Sequence, residues 1–112
     1  MDILFASARL ERLSTDGKRA QRDLGADGAR KLRERLDSLD AAADLSIMGS
    51  LPGRFHPLDG GLAGHFAMDL HKGWRLVLRP ANEPVPRLPD GGIDRRAVTA
   101  ITVTAIEDYH RG

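Results

Sequence analysis

The spacing of apolar residues changes from a helical period to an extended one near the middle of the chain. Within residues 26–43, apolar side chains recur every three or four positions, at Ala29, Leu32, Leu36, Leu39 and Ala43. This spacing places them on one stripe of an α-helix, because a helix makes one turn every 3.6 residues. We therefore predict an amphipathic helix over residues 26–43, with the Asp27 carboxylate as its N-cap.

Shorter elements flank this helix in the first half of the chain. Residues 2–5 are apolar and have the composition of a strand, and residues 7–13 have helical spacing. Residues 14–28 are polar and contain several glycines, which predicts a turn-rich connection with at most a helical turn at 18–23. Residues 44–51 are predicted to form a short second helix that ends at a Pro-Gly pair.

After residue 52, apolar and polar residues alternate, which is typical of strands with one buried face. The alternation predicts strands over residues 63–71 and 74–79, and the β-branched residues of 97–110 predict a third. Lys72 and Gly73 separate the first two strands and predict a tight hairpin. Residues 80–96 interrupt the pattern with four prolines and a Gly-Gly pair, so we expect an excursion from the sheet.

Strand alternation also predicts which side chains share a face. Arg75 lies opposite Trp74 and its apolar neighbours. In the last strand, one face carries Ile101, Val103 and Ala105, and the other carries Thr102, Thr104 and Ile106. A strand, then helices, then several strands predicts an α+β fold, in which an N-terminal strand and helices pack on an antiparallel β-sheet. At 112 residues, the chain has the length of a single domain, residues 1–112.

Composition narrows the chemistry. The chain has no cysteine, which excludes disulfides, thiolate metal sites and a cysteine nucleophile. Its net charge of +1 is too small to indicate nucleic-acid binding by itself, so such an argument needs a local basic patch. No apolar run is long enough to span a membrane, and the N-terminus lacks the pattern of a signal peptide, so we expect a cytoplasmic protein without membrane contact.

The groups that could titrate near neutral pH lie in the second half of the chain, which contains all four histidines. Arg54 and His56 follow a Pro-Gly turn, Arg75 lies on a predicted strand, and residues 108–110 read Asp-Tyr-His at the end of the last strand. If the sheet brings these stretches together, the groups suit RNA cleavage. That reaction needs a base for the ribose 2′-OH, a cation for the phosphate and an acid for the leaving oxygen. The carboxylates are too scattered to predict a magnesium site, and we expect no cofactor.

Three motifs, LPGRFHPLDG, HFAMDLHKGWRLVLR and IEDYH, follow the Leu-rich helix in this order. Together they resemble the HigB group of RelE/ParE-type toxins, over most of the chain from about Lys31 to His110. The resemblance implies a compact RelE-like fold and a metal-independent mRNA endonuclease that acts in the ribosomal A site. It also implies a cognate HigA-like helix-turn-helix antitoxin as partner, with operator DNA reached only through that antitoxin.

The resemblance also implies a set of site residues. The implied catalytic group is His56, Arg75, Asp108, Tyr109 and His110. In such toxins, arginine is thought to steady the phosphate, while the C-terminal residues take part in proton transfer and substrate positioning.

One position departs from the family pattern. The family often has a basic residue three positions after its first histidine, where this chain has Asp59. A carboxylate there repels a phosphate unless Arg54, Lys72 or Arg79 compensates, so these three are the predicted phosphate contacts. Two alternatives stay open: a ParE-like inhibitor of DNA gyrase with no chemistry of its own, and a module of the same fold that binds its antitoxin but has lost nuclease activity.

Overall fold

The computed structural model describes residues 1–109 of the chain. Its strands and helices are, in order, β1 (Asp2–Phe5), α1 (Ala8–Thr15), α2 (Gly17–Ala41), β2 (His56–Pro57), β3 (Phe66–Asp69), β4 (Trp74–Pro80) and β5 (Ala100–Asp108). Short 3₁₀ helices lie at Leu45–Ser50, Gly60–Leu62 and Arg95–Ala97. The predicted order of strand, helices and strands is confirmed.

The five strands form one mixed sheet in the order β1-β5-β4-β3-β2. The pairs β2–β3, β3–β4 and β4–β5 are antiparallel, whereas β1 lies at one edge and pairs in parallel with β5. The α+β class is confirmed, and the parallel edge strand is the departure from the predicted antiparallel sheet. No hairpin joins β1 to β5, so the local pattern of the sequence does not fix their relative direction.

One hydrophobic cluster joins the helices to one face of the sheet. Helix α2 contributes Leu32, Leu36 and Leu39, each 4% exposed or less. The sheet contributes alternate residues of its three central strands: Phe66, Met68, Leu76, Leu78, Ile101 and Val103. The predicted helical stripe is confirmed over its centre, but Ala43 is exposed because the helix ends before it, at Ala41.

Helix α2 begins earlier than predicted, at Gly17, so the prediction of turns before residue 26 is wrong. Its N-cap is Asp16, whose carboxylate accepts hydrogen bonds from the first backbone amides of the helix, including that of Lys18 at 3.1 Å. Gly25 has φ 77° and ψ 169°, which are not helical values, so α2 consists of two helical segments that meet at a kink. Asp27 lies in the first turn after this kink, and the capping carboxylate at the start of α2 is that of Asp16.

A β-bulge changes the faces of the last strand. The register of β4 against β5 shifts between Val77 and Leu78, where Thr104 is an extra residue of β5. An extra residue inverts the alternation that follows it. Ile106 consequently joins the core cluster together with Ile101, and the prediction that these two residues lie on opposite faces is wrong.

Two connections match their predictions. Lys72 and Gly73 form the turn between β3 and β4 with φ values of 49° and 84°, the left-handed conformation that two-residue hairpins use. Residues 80–96 leave the sheet after β4 and contain an isolated bridge between Arg87 and Ile93. Among residues 1–109, no helix has both the length and the apolar character needed to cross a bilayer.

Candidate functional site

The sheet face opposite the helices, here called the open face, carries charged residues in neighbouring positions. His56 lies across from Ala67 on this face. Two residues further along β3 and on the same face, Asp69 lies across from Arg75, which in turn lies across from Glu107. These residues and two that contact them form the open-face cluster: Arg54, His56, Asp69, Arg75, Glu107 and Tyr109.

Arg54 and Asp69 form a bidentate ion pair at one side of the cluster. The Arg54 Nε donates to Asp69 Oδ2 at 2.8 Å, and Nη2 donates to Oδ1 at 3.0 Å. The bond from Arg54 holds the pKa of the Asp69 carboxyl below its usual value, and the charges of Arg54, His56 and Arg35 lower it further. The same bond raises the pKa of Arg54, to which Tyr109 also contributes. The pair is thus fully ionised at neutral pH.

Arg75 and Glu107 form a second ion pair on the neighbouring strands. Arg75 donates from Nε at 3.0 Å and from Nη2 at 2.8 Å to the same oxygen, Glu107 Oε2. The Tyr109 ring lies beneath this guanidinium, with its centroid 5.2 Å from Cζ. The Arg75 side chain is only 18% exposed. Its orientation is therefore fixed by a carboxylate and by an aromatic face.

His56 is oriented by the backbone. Its Nδ1 lies 2.6 Å from the carbonyl oxygen of Arg54. A carbonyl can only accept, so Nδ1 carries the hydrogen and Nε2 holds the lone pair when the ring is neutral. His56 is therefore held in the tautomer that can accept a proton at Nε2.

A buried arginine supports the turn that carries Arg54. The Arg35 side chain extends from α2, is 7% exposed as a residue, and donates from Nε to the carbonyl oxygen of Asp69 at 3.0 Å. Gly53 lies directly over it with φ 119°, and a Cβ at this position would be 2.6 Å from Arg35 Nε. The amide of Asp69 donates to the Gly53 carbonyl at 2.8 Å. The 52–54 turn is thereby fixed to the end of β3.

The structure brings some of the predicted site residues together and not others. The predicted residues Arg54, His56, Arg75 and Tyr109 all belong to the open-face cluster. Asp108 is the Cα partner of Trp74, so strand alternation places it on the helix side of the sheet. His110 lies outside the described residues.

Only one of the three predicted phosphate contacts belongs to the cluster. Arg54 is part of it, whereas Lys72 is exposed in the β3–β4 turn. Arg79 is exposed on the open face, four positions beyond Arg75 and thus about 13 Å from it along β4. Asp59 is exposed before the 60–62 helix and makes no capping hydrogen bond with its side chain.

Sequence reasoning missed the two carboxylates of the cluster as site residues, namely Asp69 and Glu107. Glu107 and Tyr109 are two positions apart in the tail motif, and residues two apart share a face of a strand. This spacing was a usable signal that Glu107 lies beside Tyr109. The predicted two-residue Lys72–Gly73 loop would pair Leu70 with Arg75, whereas the observed register pairs Asp69 with Arg75, so this contact was not available from the hairpin prediction. Within residues 1–109, no three His, Cys, Asp or Glu side chains lie close enough together to hold a metal ion.

Comparison with known proteins gives structural likeness and no sequence match. No protein-family model and no curated protein matches the chain. A YoeB/ParE toxin from Agrobacterium tumefaciens has a TM-score of 0.60 and 13% identity, with 96% of this chain and 98% of that chain covered. A YoeB–YefM complex from Staphylococcus aureus has a TM-score of 0.57 and 18% identity, with coverages of 96% and 94%.

A structure of the YoeB dimer from Staphylococcus aureus has the same coverages, a TM-score of 0.53 and 19% identity. The likeness thus extends over nearly the whole chain while fewer than one residue in five is identical. These comparisons show that the chain has the fold of YoeB/ParE-type toxins.

Proposed function

We propose that this chain is a HigB-like toxin that cleaves mRNA on the ribosome without a metal ion and so stops translation. The open-face cluster carries the proposal, because two guanidinium groups, an imidazole and a phenol meet on a sheet face outside the helical layer. The YoeB/ParE-like fold supports it. The described groups match the requirements of 2′-OH attack on a phosphodiester.

In the proposed reaction, the substrate supplies its own nucleophile. His56 Nε2 takes the proton of the ribose 2′-OH, whose oxygen then attacks the adjacent phosphorus. Arg54 and Arg75 stabilise the negative charge that accumulates on the phosphate oxygens. The bond to the 5′-oxygen breaks, and Tyr109 and the predicted His110 are the candidates that protonate this leaving group. The products are a 2′,3′-cyclic phosphate and a 5′-hydroxyl end.

The proposed partner is a HigA-like helix-turn-helix antitoxin in the cytoplasm. One structure with the same fold is a YoeB–YefM complex, in which a toxin of this shape is bound to a second protein. We propose that the antitoxin neutralises this chain and that operator DNA is contacted only by the antitoxin. The ribosomal A site is the proposed place of action.

Primer extension on mRNA after induction of the chain tests the proposed activity. The wild type should produce new 5′ ends within translated regions. His56→Ala should reduce their yield about 10²–10⁴-fold, the usual cost of losing a general base. His71→Ala is the matched control, because His71 lies at the β3–β4 turn and contacts Asp27 instead of the cluster. Intact mRNA with the wild type, or equal cleavage by His56→Ala, would overturn the proposal.

A ParE-like gyrase inhibitor is the second candidate function. It is favoured by the likeness to the Agrobacterium structure, which is described as a YoeB/ParE toxin. It is also consistent with the pairing of Arg54 and Arg75 to carboxylates, which neutralises the cations that a nuclease needs. A DNA-damage response with intact mRNA after induction identifies this function. Failure to arrest growth despite antitoxin binding identifies a module without activity.

A further inference from the structure

The Pro-rich segment, residues 80–96, forms the wall of a groove beyond the open-face cluster. The segment folds on itself, with the Leu88 amide donating to the Gly92 carbonyl at 2.7 Å and the Asp94 amide donating to the Pro86 carbonyl at 2.9 Å. Between this segment and the start of β3 lies a cavity of about 230 Å³. Its lining includes Gly64, His65, Arg79, Val85, Arg87 and Ile93.

A second cavity of about 350 Å³ adjoins the first, and the two share Gly64, His65 and Ile93. Its lining continues to Phe66, Leu88 and Arg95. We call the two cavities together the 80–96 groove. It combines apolar walls with three arginines, one from β4 and two from the Pro-rich segment.

The arginines of the 80–96 groove differ from those of the open-face cluster in their pairing. Among residues 1–109, Arg79, Arg87 and Arg95 have no carboxylate oxygen within 4.0 Å, whereas Arg54 and Arg75 each have one at 2.8 Å. Arg87 donates to a backbone carbonyl at 3.2 Å.

Aromatic rings hold the remaining groove arginine in place. The Arg95 Cζ lies 4.9 Å from the centroid of the Phe66 ring and 5.7 Å from that of the Phe55 ring. The acidic Asp90 of the same segment accepts a hydrogen bond from the Gly92 amide and, within residues 1–109, forms no ion pair. The groove therefore offers positive charge that no described carboxylate neutralises.

The groove is continuous with the cluster along the sheet. Arg79 is on the same face as Arg75 and about 13 Å from it, since strand residues advance about 3.3 Å each. Pro57, which also lines the groove, pairs with the core residue Phe66 and so lies on the opposite face from His56; the route from the cluster to the groove therefore runs past Arg79. An extended strand that crosses the cluster and runs along β4 therefore reaches the groove.

We infer that the 80–96 groove binds single-stranded RNA next to the scissile nucleotide, with Arg79 and Arg87 contacting flanking phosphates. Unneutralised arginines favour a polyanion, while the apolar wall of Val85 and Ile93 suits the faces of unstacked bases. This inference rests on the proposed function for the identity of the ligand. It assigns substrate binding to the Pro-rich segment, which the catalytic proposal does not use.

Direct binding separates this inference from the catalytic proposal. Fluorescence anisotropy measures the affinity of the full chain for a labelled trinucleotide and for a longer single-stranded RNA, over a series of salt concentrations. The probe contains 2′-deoxy substitutions, so that no cleavage occurs during the measurement. The variants are Arg79→Gln and Arg87→Gln combined, with Arg96→Gln as matched control, since Arg96 is exposed in the same region and lines neither cavity.

The double variant should bind the longer RNA about tenfold more weakly and the trinucleotide nearly as well as the wild type. Its slope of log affinity against log salt should decrease in magnitude by about 1.4, because each lost phosphate contact on a single strand contributes about 0.7. Arg96→Gln should leave the slope unchanged. If wild-type binding depends on Arg79 and Arg87 while mRNA stays intact in cells, the groove is an RNA site and the nuclease proposal fails.

Equal salt slopes for the double variant and the Arg96→Gln control would overturn the inference, as would an absence of binding by the wild type at low salt. The inference would also be overturned, in favour of a protein partner, if an acidic peptide bound the groove and the double variant bound RNA as tightly as the wild type.

Discussion

Arg75 makes two hydrogen bonds to one oxygen of Glu107, and this arrangement has a consequence for any anion that approaches it. A phosphate that binds the same edge of the guanidinium must displace the carboxylate or share its donors. Glu107 is 41% exposed in its side chain, so it can rotate into solvent when a phosphate enters. The ion pair thus acts as a competitor for the phosphate as well as an orienting contact.

Replacing Glu107 by Gln tests this competition. The variant keeps an oxygen acceptor for Arg75 but removes the negative charge, so RNA should bind more tightly. A partly exposed pair is worth up to about 1 kcal/mol, which corresponds to an affinity gain of about two- to fivefold. Anisotropy at low salt with the uncleavable trinucleotide measures it. Glu11→Gln, an exposed change in the first turn of α1, is the control, and weaker binding by Glu107→Gln would refute the competition.

At the scale of elements, the 52–54 turn is held by a contact that only glycine permits. Gly53 has φ 119°, a region that residues with a side chain rarely adopt, and it lies against the buried guanidinium of Arg35. The turn aims Arg54 at Asp69 and carries the carbonyl that orients His56. A change in this turn therefore affects stability and the geometry of the cluster together.

Gly53→Ala should destabilise the fold, because its Cβ would meet Arg35 Nε and the backbone would be strained. Strain of this kind costs about 1–3 kcal/mol, on the order of 4–12 °C in melting temperature for a domain of this size. Gly49→Ala is the matched control, since its Cβ would meet nothing within 4 Å and its φ is not positive. Thermal unfolding followed by circular dichroism measures both variants. Equal melting temperatures would show that the 52–54 turn relaxes without cost.

Local patterns predicted the elements whose determinants lie close together in sequence. The Lys72–Gly73 hairpin and the stripe of Leu32, Leu36 and Leu39 depend on neighbours within one or two turns. The bulge at Thr104 does not depend on neighbours in sequence, because an extra residue is recognised only from the register of the partner strand. Uninterrupted alternation from the buried Ile101 would put Asp108 on the open face, whereas the bulge puts Glu107 there, in contact with Arg75.

At the scale of the whole molecule, the sheet order decides which distant segments meet. Strand β5 pairs with β1 on one side and β4 on the other, and β2 lies at the opposite edge of the sheet. The open-face cluster consequently draws its groups from the 52–54 turn, from β2, β3 and β4, and from the end of β5. Residue types in the three motifs were enough to nominate His56, Arg75 and Tyr109. Their common face could be expected but not established before the strand order was known.

A single core that joins helices and sheet also makes a prediction about unfolding. Leu39 of α2 is fully buried in a cluster that includes residues of β3, β4 and β5, and the only tryptophan of the chain, Trp74, packs against that cluster from β4. If residues 1–112 are one cooperative domain, the helical circular dichroism and the Trp74 fluorescence should change at the same temperature.

Leu39→Ala should lower both midpoints equally, by about 8–20 °C for a loss of about 2–5 kcal/mol. Leu4→Ala is the matched control, since Leu4 is 49% exposed on β1, and it should move the midpoints by little. Midpoints that separate in Leu39→Ala, with the helical signal lost first, would mean that the helices and the sheet unfold as distinct units.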